Sequence, residues 1–354
     1  MDQQYLVSSD DRERLQHFLS RRQLKDRVVE LLKEVKESHD LKRGEVTTSQ
    51  SATYEALVEA LATALANKWV EPDNLTSILD DAETAGRQHI CIFKVPEEAA
   101  DAVIGMLRSP RTLNPETARL SDFWSIPLEP YSRILRDDDA GIVVKTVAPR
   151  YYWVEDRRQP SEDRIEITKE RERERSAIIF KFDKAVHLLE CRVPTREKNP
   201  HADTSKSVYQ FLAEITASEY VGNAGEQAQT LLGLVGHFDL ANAFQKIIEN
   251  RDDFELHKDT PENQDLKTSM SHRASADDAK DIRDYDEWVY ENGFARTSIK
   301  GKWKREDDSI LVHMHDESVK LGKQVSRQVS RIFFPRPCSD TDIAYVVERV
   351  RAHF

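Results

Sequence analysis

The sequence predicts an α+β protein with an N-terminal helical module, a central antiparallel meander with helices, and a C-terminal small sheet packed on a terminal helix. Apolar residues recur at three- and four-residue spacing near both ends of the chain, whereas short alternating apolar runs fill its centre. The chain has 354 residues, of which 39% are hydrophobic and 33% are charged. This composition is sufficient for packed cores and excludes a wholly disordered chain.

Residues 1–86 are predicted to form the helical module. Apolar positions recur at helical spacing over 10–38 and again over 54–65. A third helix is expected to begin at Pro72 and to end at Gly86, since proline is favoured in the first turn of a helix and glycine just after its last turn. We expect this module to bind a protein partner.

Residues 87–250 are predicted to form a central α+β module. A β-branched and aromatic run over 89–95 indicates a strand. Five further apolar or alternating runs between 141 and 193 are separated by turn residues, which favours an antiparallel meander. Helices are expected over 208–217 and 240–248, because one face of each is apolar.

Residues 251–354 are predicted to form a C-terminal α+β module that begins with an acidic linker. Between 277 and 291 the chain has seven acidic and two basic residues. A hairpin is expected over 298–315, and the last helix should begin after Ser339, which is a favourable N-cap residue.

Several classes of protein are disfavoured by the sequence. No window has the roughly 18 consecutive apolar residues that a membrane-spanning helix needs, and the first residues do not resemble a secretory signal. Cys91, Cys191 and Cys338 are too widely spaced to indicate a disulfide framework. We therefore expect a cytoplasmic protein without a membrane partner.

The common catalytic motifs are absent from the sequence. It has neither of the two glycine-rich phosphate-binding loops, no GxSxG turn and no HExxH pair. His313 and His315 would leave one face of a strand, but Asp316 would point to the other face, so no third metal ligand is identified. We expect a protein that is not an enzyme, with no metal and no cofactor.

A basic segment near the carboxyl end is the main functional signal. The net charge of the chain is −12, yet residues 296–336 have ten basic and five acidic side chains. Concentrated positive charge is typical of sites that bind phosphates, so we predict a nucleic-acid or polyanion site. The candidate residues are Lys300, Lys302, Lys304, Arg305, Lys320, Lys323, Arg327 and Arg331. The alternative is that these side chains pair with the acidic 277–291 segment.

A second hypothesis rests on Asp183, Glu190 and Arg192. An acid before a strand, followed on that strand by an acid and a basic residue two positions later, resembles the Mg²⁺-dependent nucleases of the PD-(D/E)XK class. That resemblance implies that Asp183 and Glu190 hold Mg²⁺ while the basic residue steadies the attacking water. Arg192 stands where the family has lysine, and a guanidinium cannot easily tune a water. The competing interpretation is that Glu190 and Arg192 share the solvated face of the strand while Leu189, Cys191 and Val193 pack in the core.

Residues 155–176 contain seven basic and eight acidic residues. The signs alternate strictly over 169–175, so an extended strand would place the basic side chains on one face and the acidic ones on the other. Such a ribbon could bind an anionic partner. The interpretation that we favour at this point is a solvated hairpin tip, kept soluble by its mixed charge.

Overall fold

The computed structural model describes most of the chain. The described residues are 12, 15, 16, 19, 22–42, 46–109, 126–161, 164–196, 202–218, 230–250, 252–263, 268, 269, 289, 295–306, 308–320 and 326–354. Lys323 and nearly all of the acidic 277–291 segment lie outside them. The predicted pairing of that segment with the basic residues therefore stays a prediction.

The α+β class is confirmed. Within the described residues there are eight helices and one sheet of eleven strands. Every strand pairing for which a register is described is antiparallel. The described helices include none with the length and apolar character that a membrane crossing requires.

The chain divides into two compact units. The helical unit comprises the described residues of 1–84, 113–128 and 151–175, and the sheet unit comprises those of 85–112, 129–150 and 176–354. The division into modules 1–86, 87–250 and 251–354 stays a prediction.

The described helices of the helical unit are α1 (Arg22–Ser38), α2 (Tyr54–Ala66) and α3 (Pro72–Thr84). Their apolar faces bury a common core that includes Val28 and Leu61. The hydroxyl of Thr53 accepts a hydrogen bond from the backbone N–H of Ala56 at 3.3 Å and so caps α2. The spacing of apolar residues is sufficient to predict all three helices.

The sheet joins strands from the central and C-terminal parts of the sequence. Its strands are β1 (Gln88–Lys94), β2 (Tyr131–Asp137), β3 (Gly141–Ser161), β4 (Arg164–Asp183), β5 (Leu188–Pro194), β6 (Gly236–His237), β7 (Phe254–Asn263), β8 (Thr268–Ser269), β9 (Ala295–Lys304), β10 (Ser309–Val319) and β11 (Arg327–Phe333). The order is β2-β3-β4-β5-β1-β11-β10-β9-β7-β8, and β6 pairs with β1. The meander predicted from the sequence and the C-terminal strands are thus parts of one sheet, joined by β1.

A separate core covers each face of the sheet. On the first face, Cys91 and Phe93 of β1 pack with α4 (Ala100–Arg108), α5 (Ser205–Ser218) and α6 (Leu231–Leu234). On the second face, Ile90 and Ile92 pack with α7 (Leu240–Glu249) and α8 (Asp340–Arg351). Burial on both faces explains why β1 is continuously apolar rather than alternating.

The predicted start of the last helix is confirmed. The Ser339 hydroxyl accepts the backbone N–H of Asp342 at 3.2 Å, and the Asp342 carboxylate accepts the backbone N–H of Ser339 at 2.8 Å. This capping box satisfies two backbone donors that the first turn of α8 would otherwise leave open.

Candidate polyanion-binding face

The lysines of β9 lie on the first face of the sheet because the strand alternates strictly. Ile299 and Trp303 are buried in the core of the second face, so Lys300 and Lys302 project from the first. Gly301 lies between the lysines, and a Cβ atom there would be 2.4 Å from the carbonyl oxygen of Glu255 and 2.4 Å from the ring of Phe254. The close approach of β7 therefore requires glycine at this position.

Strand register brings further basic side chains to the same face. Lys258 of β7 and His313 of β10 are the direct cross-strand partners of Lys300, and His315 is the partner of Arg331 on β11. Direct partners in an antiparallel pair share one face of the sheet. We call this surface the basic face, and its residues are Lys258, Lys300, Lys302, His313, His315 and Arg331.

The outer part of the basic face holds two cations opposite each other. Lys258 and Lys300 are direct cross-strand partners, and like charges in that position are destabilising. Among the described residues, neither lysine has a carboxylate within ion-pair distance. Lys302 lies 4.0 Å from Glu255, whose carboxylate is also 2.9 Å from Nε2 of His257. Positive charge at Lys258 and Lys300 is therefore not neutralised by the described groups.

His313, the cross-strand partner of Lys300, has a lowered pKa. Burial lowers its pKa to about 4, and the charges of Lys300, Arg331 and Lys258 act in the same direction. The imidazole is therefore neutral at pH 7. Its Nε2 atom is buried without a hydrogen-bond partner among the described residues. Burial, Arg331 and the neighbouring imidazoles likewise lower the pKa of His315 to about 3, so the positive charge of this face at neutral pH comes from lysine and arginine. Two carboxylates share the face: Glu255 is the direct cross-strand partner of Lys302, and Glu317 lies 3.9 Å from both Arg331 Nη2 and His315 Nδ1.

The inner end of the basic face is a buried contact between Arg331 and His89 of β1. Arg331 Nη1 lies 2.6 Å from His89 Nδ1, and the His89 ring stacks on Phe333 with 4.5 Å between ring centroids. A guanidinium can only donate, so Nδ1 must accept and the imidazole carries its proton on Nε2. Burial is the largest cause that lowers the pKa of His89, to about 4, and it also lowers that of Arg331.

Asp203, just before α5, is the carboxylate of this buried region. It accepts a hydrogen bond from Arg150 Nη2 at 2.7 Å, forms an ion pair of 3.1 Å with Nε of Arg196, and lies 3.7 Å from His89 Nε2. Burial acts to raise the pKa of Asp203, but His89, Arg150 and the backbone N–H of Arg196 outweigh it and lower the pKa. We call Asp203, Arg150, Arg196 and His89 the Asp203 cluster.

The predicted lysines differ in position. Lys300 and Lys302 lie within the basic face, Lys304 is exposed on the same side at the end of β9, and Lys320 is exposed just after β10. Lys323 lies outside the described residues.

The predicted arginines all contact groups of the protein itself. Arg305 forms an ion pair of 2.8 Å with Asp342 and stacks on the Tyr345 ring, 4.7 Å from its centroid. Arg327 donates to the backbone carbonyls of Leu232 and Val235. These contacts bind the sheet to α8 and α6, and Arg331 similarly holds His89. A direct role of the three arginines in anion binding stays a prediction.

The geometry gives the nuclease hypothesis no support. The Asp183 carboxylate accepts the backbone N–H of Ala185 at 3.0 Å in the turn after β4. Glu190 on β5 is buried, and its carboxylate accepts two hydrogen bonds from Arg192, at 3.1 and 2.9 Å, with Lys181 Nζ at 3.5 Å. Arg192 also contacts Asp340. Glu190 therefore already has two cationic partners where a magnesium ion would have to bind, and its role in catalysis remains a prediction.

Within the described part of the chain, His237, Asp239 and Asp316 have ligand atoms within 4.8 Å of one another, close enough to hold a metal ion. Asp316 already accepts hydrogen bonds from the N–H of Ala241 and from Gln328 Nε2, and Ser330 Oγ and His237 Nε2 lie 3.1 and 3.0 Å from its oxygens. Asp239 caps α7 through the N–H of Asn242. Both carboxylates thus already accept hydrogen bonds from donors of the protein itself.

Ser330, His237 and Asp316 do not form a catalytic triad. The Ser330 hydroxyl and the Asp316 carboxylate both contact Nε2 of His237, at 3.2 and 3.0 Å, whereas a triad places them on different ring nitrogens. Ser330 Oγ also lies 2.8 Å from the carbonyl of Phe238. The contacts stabilise the start of α7 against β10 and β11.

No family model matches the chain, and no curated protein or solved structure matches it either. The function has therefore to be inferred from the chemistry of the described residues. In the described part of the chain, the basic face places two lysines directly opposite each other without a carboxylate within ion-pair distance of either.

The sequence alone did not identify Lys258, His89 or Asp203 as part of the site. Lys258 is about forty residues before Lys300, and no spacing pattern indicates that their strands pair. His89 lies in a strand whose apolar sequence predicts only a place in the core. Its place beside Phe333 would have been detectable only from the strand order.

Proposed function

We propose that the protein is a non-enzymatic binding protein whose basic face holds a polyanion, with nucleic acid as the partner. The observation that supports this most directly is the direct pairing of Lys258 with Lys300, without a described carboxylate beside either. Burial is the largest cause of the lowered pKa of His313 on the same face, and the charges of Lys300, Arg331 and Lys258 act in the same direction.

A bound phosphodiester chain would offset the repulsion between Lys258 and Lys300 on this face. Two lysines in direct cross-strand contact repel each other, and a phosphate between them attracts both. Each phosphate contact also releases counterions from the nucleic acid, which favours binding at low salt. The net charge of −12 opposes binding to most of the protein surface, so affinity should depend strongly on salt and on surfaces where positive charge is concentrated, such as this face.

Replacing Lys300 with alanine is expected to weaken binding to nucleic acid and to reduce its dependence on salt. Loss of one phosphate contact makes the slope of log K against log salt shallower by about 0.7 on a single strand and about 0.9 on duplex DNA. Fluorescence anisotropy with labelled single-stranded and duplex DNA and RNA, titrated at several salt concentrations, measures both quantities.

The matched control is Lys246→Ala. Lys246 is an exposed lysine on α7, which covers the opposite face of the sheet. This replacement changes the net charge by the same amount as Lys300→Ala, but it should leave the slope of log K against log salt unchanged. Equal effects of the two variants, or no binding by the unmodified protein at low salt, would show that the basic face does not bind nucleic acid.

The cytoplasmic location and a protein partner for the N-terminal helices stay predictions. No contact among the described residues favours either of them. The sequence-based expectation that the protein catalyses no reaction is likewise a part of the proposal.

A further inference from the structure

The distal half of the β3–β4 hairpin is a two-stranded ribbon that belongs to the helical unit. Its described side chains are those of 151–155 on β3 and 167–175 on β4. We call this segment the ribbon. Because the ribbon and the basic face belong to different units, each can be considered by itself.

The two faces of the ribbon differ in exposure. On one face, here called the outer face, Trp153 is 66% exposed, Ile167 is 51% exposed and Tyr151 is 44% exposed. Lys169, Arg171 and Arg173 share this face and are also exposed. Large apolar side chains that remain in contact with water are typical of a binding surface.

The opposite face is largely covered. Tyr152 is buried, Val154, Glu172 and Glu174 are half-buried, and the Tyr152 hydroxyl donates to Glu172 Oε2 at 2.8 Å. The alternation of charge therefore has a structural result over part of this range: Lys169, Arg171 and Arg173 face the solvent, whereas Glu172 and Glu174 are half-buried on the other face. Glu170 on that face is exposed, and Arg175 is buried. At the base of the ribbon, Arg175 is fixed by Glu83 of α3 through hydrogen bonds of 2.8 and 3.2 Å.

The outer face carries more positive charge than its neighbours offset. Its one described carboxylate, Glu155, forms an ion pair of 2.8 Å with Lys169. The guanidinium of Arg171 lies over the Tyr151 ring, 4.1 Å from its centroid. In the described part of the chain, neither Arg171 nor Arg173 has a carboxylate within ion-pair distance. Two guanidiniums without a described carboxylate partner thus lie beside two exposed aromatic rings, and the guanidinium of Arg171 covers one face of the Tyr151 ring.

We propose that the outer face of the ribbon binds single-stranded nucleic acid. Trp153 and Tyr151 stack on bases, and Arg171 and Arg173 contact phosphates. This combination of exposed rings with nearby cations is the general chemistry of single-strand recognition. A duplex offers no free base faces for stacking, so the ribbon prefers unpaired strands. An acidic peptide could pair with the arginines but would leave the exposed Trp153 ring and the face of Tyr151 that Arg171 does not cover without a stacking partner.

The test uses the full chain and a fluorescein-labelled 15-nucleotide oligo-dT at about 50 mM salt, with a duplex of the same length for comparison. Trp153→Ala is expected to weaken binding of oligo-dT by about 5- to 150-fold, the range that loss of one stacked base produces. Trp153→Phe should restore most of the affinity, because phenylalanine still stacks. The double variant Arg171→Ala/Arg173→Ala should make the salt slope shallower by about 1.4.

Two controls match the changes in size and charge. Leu128→Ala removes another strongly exposed apolar side chain of the helical unit, and Lys33→Ala removes an exposed charge of α1. Neither should change binding. Because Trp153 is mostly exposed, its replacement should leave the melting temperature nearly unchanged, which separates a binding defect from unfolding.

The Lys258→Ala/Lys300→Ala background separates the ribbon from the basic face. If Trp153→Ala still weakens oligo-dT binding in that background, the ribbon binds independently. Absence of oligo-dT binding by the unmodified protein, an unchanged affinity of Trp153→Ala, or an equal loss for the duplex would overturn the proposal. Dependence on Trp153 for a poly-glutamate peptide but not for oligo-dT would assign the surface to acidic proteins and overturn it as well.

Discussion

Replacing Asp203 with alanine is expected to lower the free energy of unfolding by about 3–5 kcal/mol. The carboxylate contacts Arg150 and Arg196 and lies near His89. Removing it leaves the buried Arg150 guanidinium without this charge partner, and breaking one side of a buried ion pair is strongly destabilising. Urea-induced unfolding at pH 7, followed by circular dichroism, measures the change.

The control for this experiment is Asp139→Ala. Asp139 is exposed in the turn between β2 and β3, so its replacement should change stability by no more than about 0.5 kcal/mol. Asp203→Asn preserves most of the shape of the side chain but not its charge, and it should also be clearly destabilising. If both Asp203 variants were as stable as Asp139→Ala, the Asp203 cluster would not hold the sheet unit together as described.

The folded protein should lose stability as the pH falls from about 6.5 to 4. His89 is almost fully buried and its folded-state pKa is about 4, whereas an unfolded histidine has a pKa of about 6.5. In this interval the unfolded state binds more protons, so protonation favours unfolding as the pH is lowered. His89 alone accounts for about 3 kcal/mol, and His313 and His315 act in the same direction.

Urea unfolding at a series of pH values, with His89→Gln as the test variant, checks this prediction. The variant lacks the titrating group, so its stability should fall less steeply between pH 6.5 and 4. His39→Gln, a change at an exposed histidine of the helical unit, should keep the slope of the unmodified protein. Below about pH 4, the lowered pKa of Asp203 adds a loss of the same sign. Stability that does not vary between pH 6.5 and 4 would contradict neutral burial of these imidazoles.

Local features of the fold were predictable because they depend on neighbouring residues. The helices follow from apolar spacing, the start of α8 follows from Ser339, and the opposite directions of Lys300 and Trp303 follow from strand alternation. The strand order was not predictable in this way. β1 lies between β5, which follows it by about 100 residues in the sequence, and β11, which follows it by about 240 residues. These pairings depend on long-range packing of both cores.

The residues of the candidate site show the same difference between local and long-range features. Lys300 and Lys302 were found from their alternation alone, whereas Lys258 joins them only through the pairing of β7 with β9. The charge count over 296–336 also includes residues that lie apart in the fold. Arg305 contacts α8 and Arg327 contacts α6, and neither belongs to the basic face. Composition indicates that positive charge is present, but register decides which side chains share a surface.

The most direct test of the central claim is the affinity of the unmodified protein for nucleic acid as a function of salt. Fluorescence anisotropy with a labelled oligonucleotide, between about 25 and 300 mM salt, should show binding at the lowest concentration. That binding should weaken steeply as salt increases, and Lys258→Glu/Lys300→Glu should abolish the part that depends on the basic face. Binding that is absent at 25 mM salt, or that persists unchanged in the charge-reversed variant, would contradict the proposal.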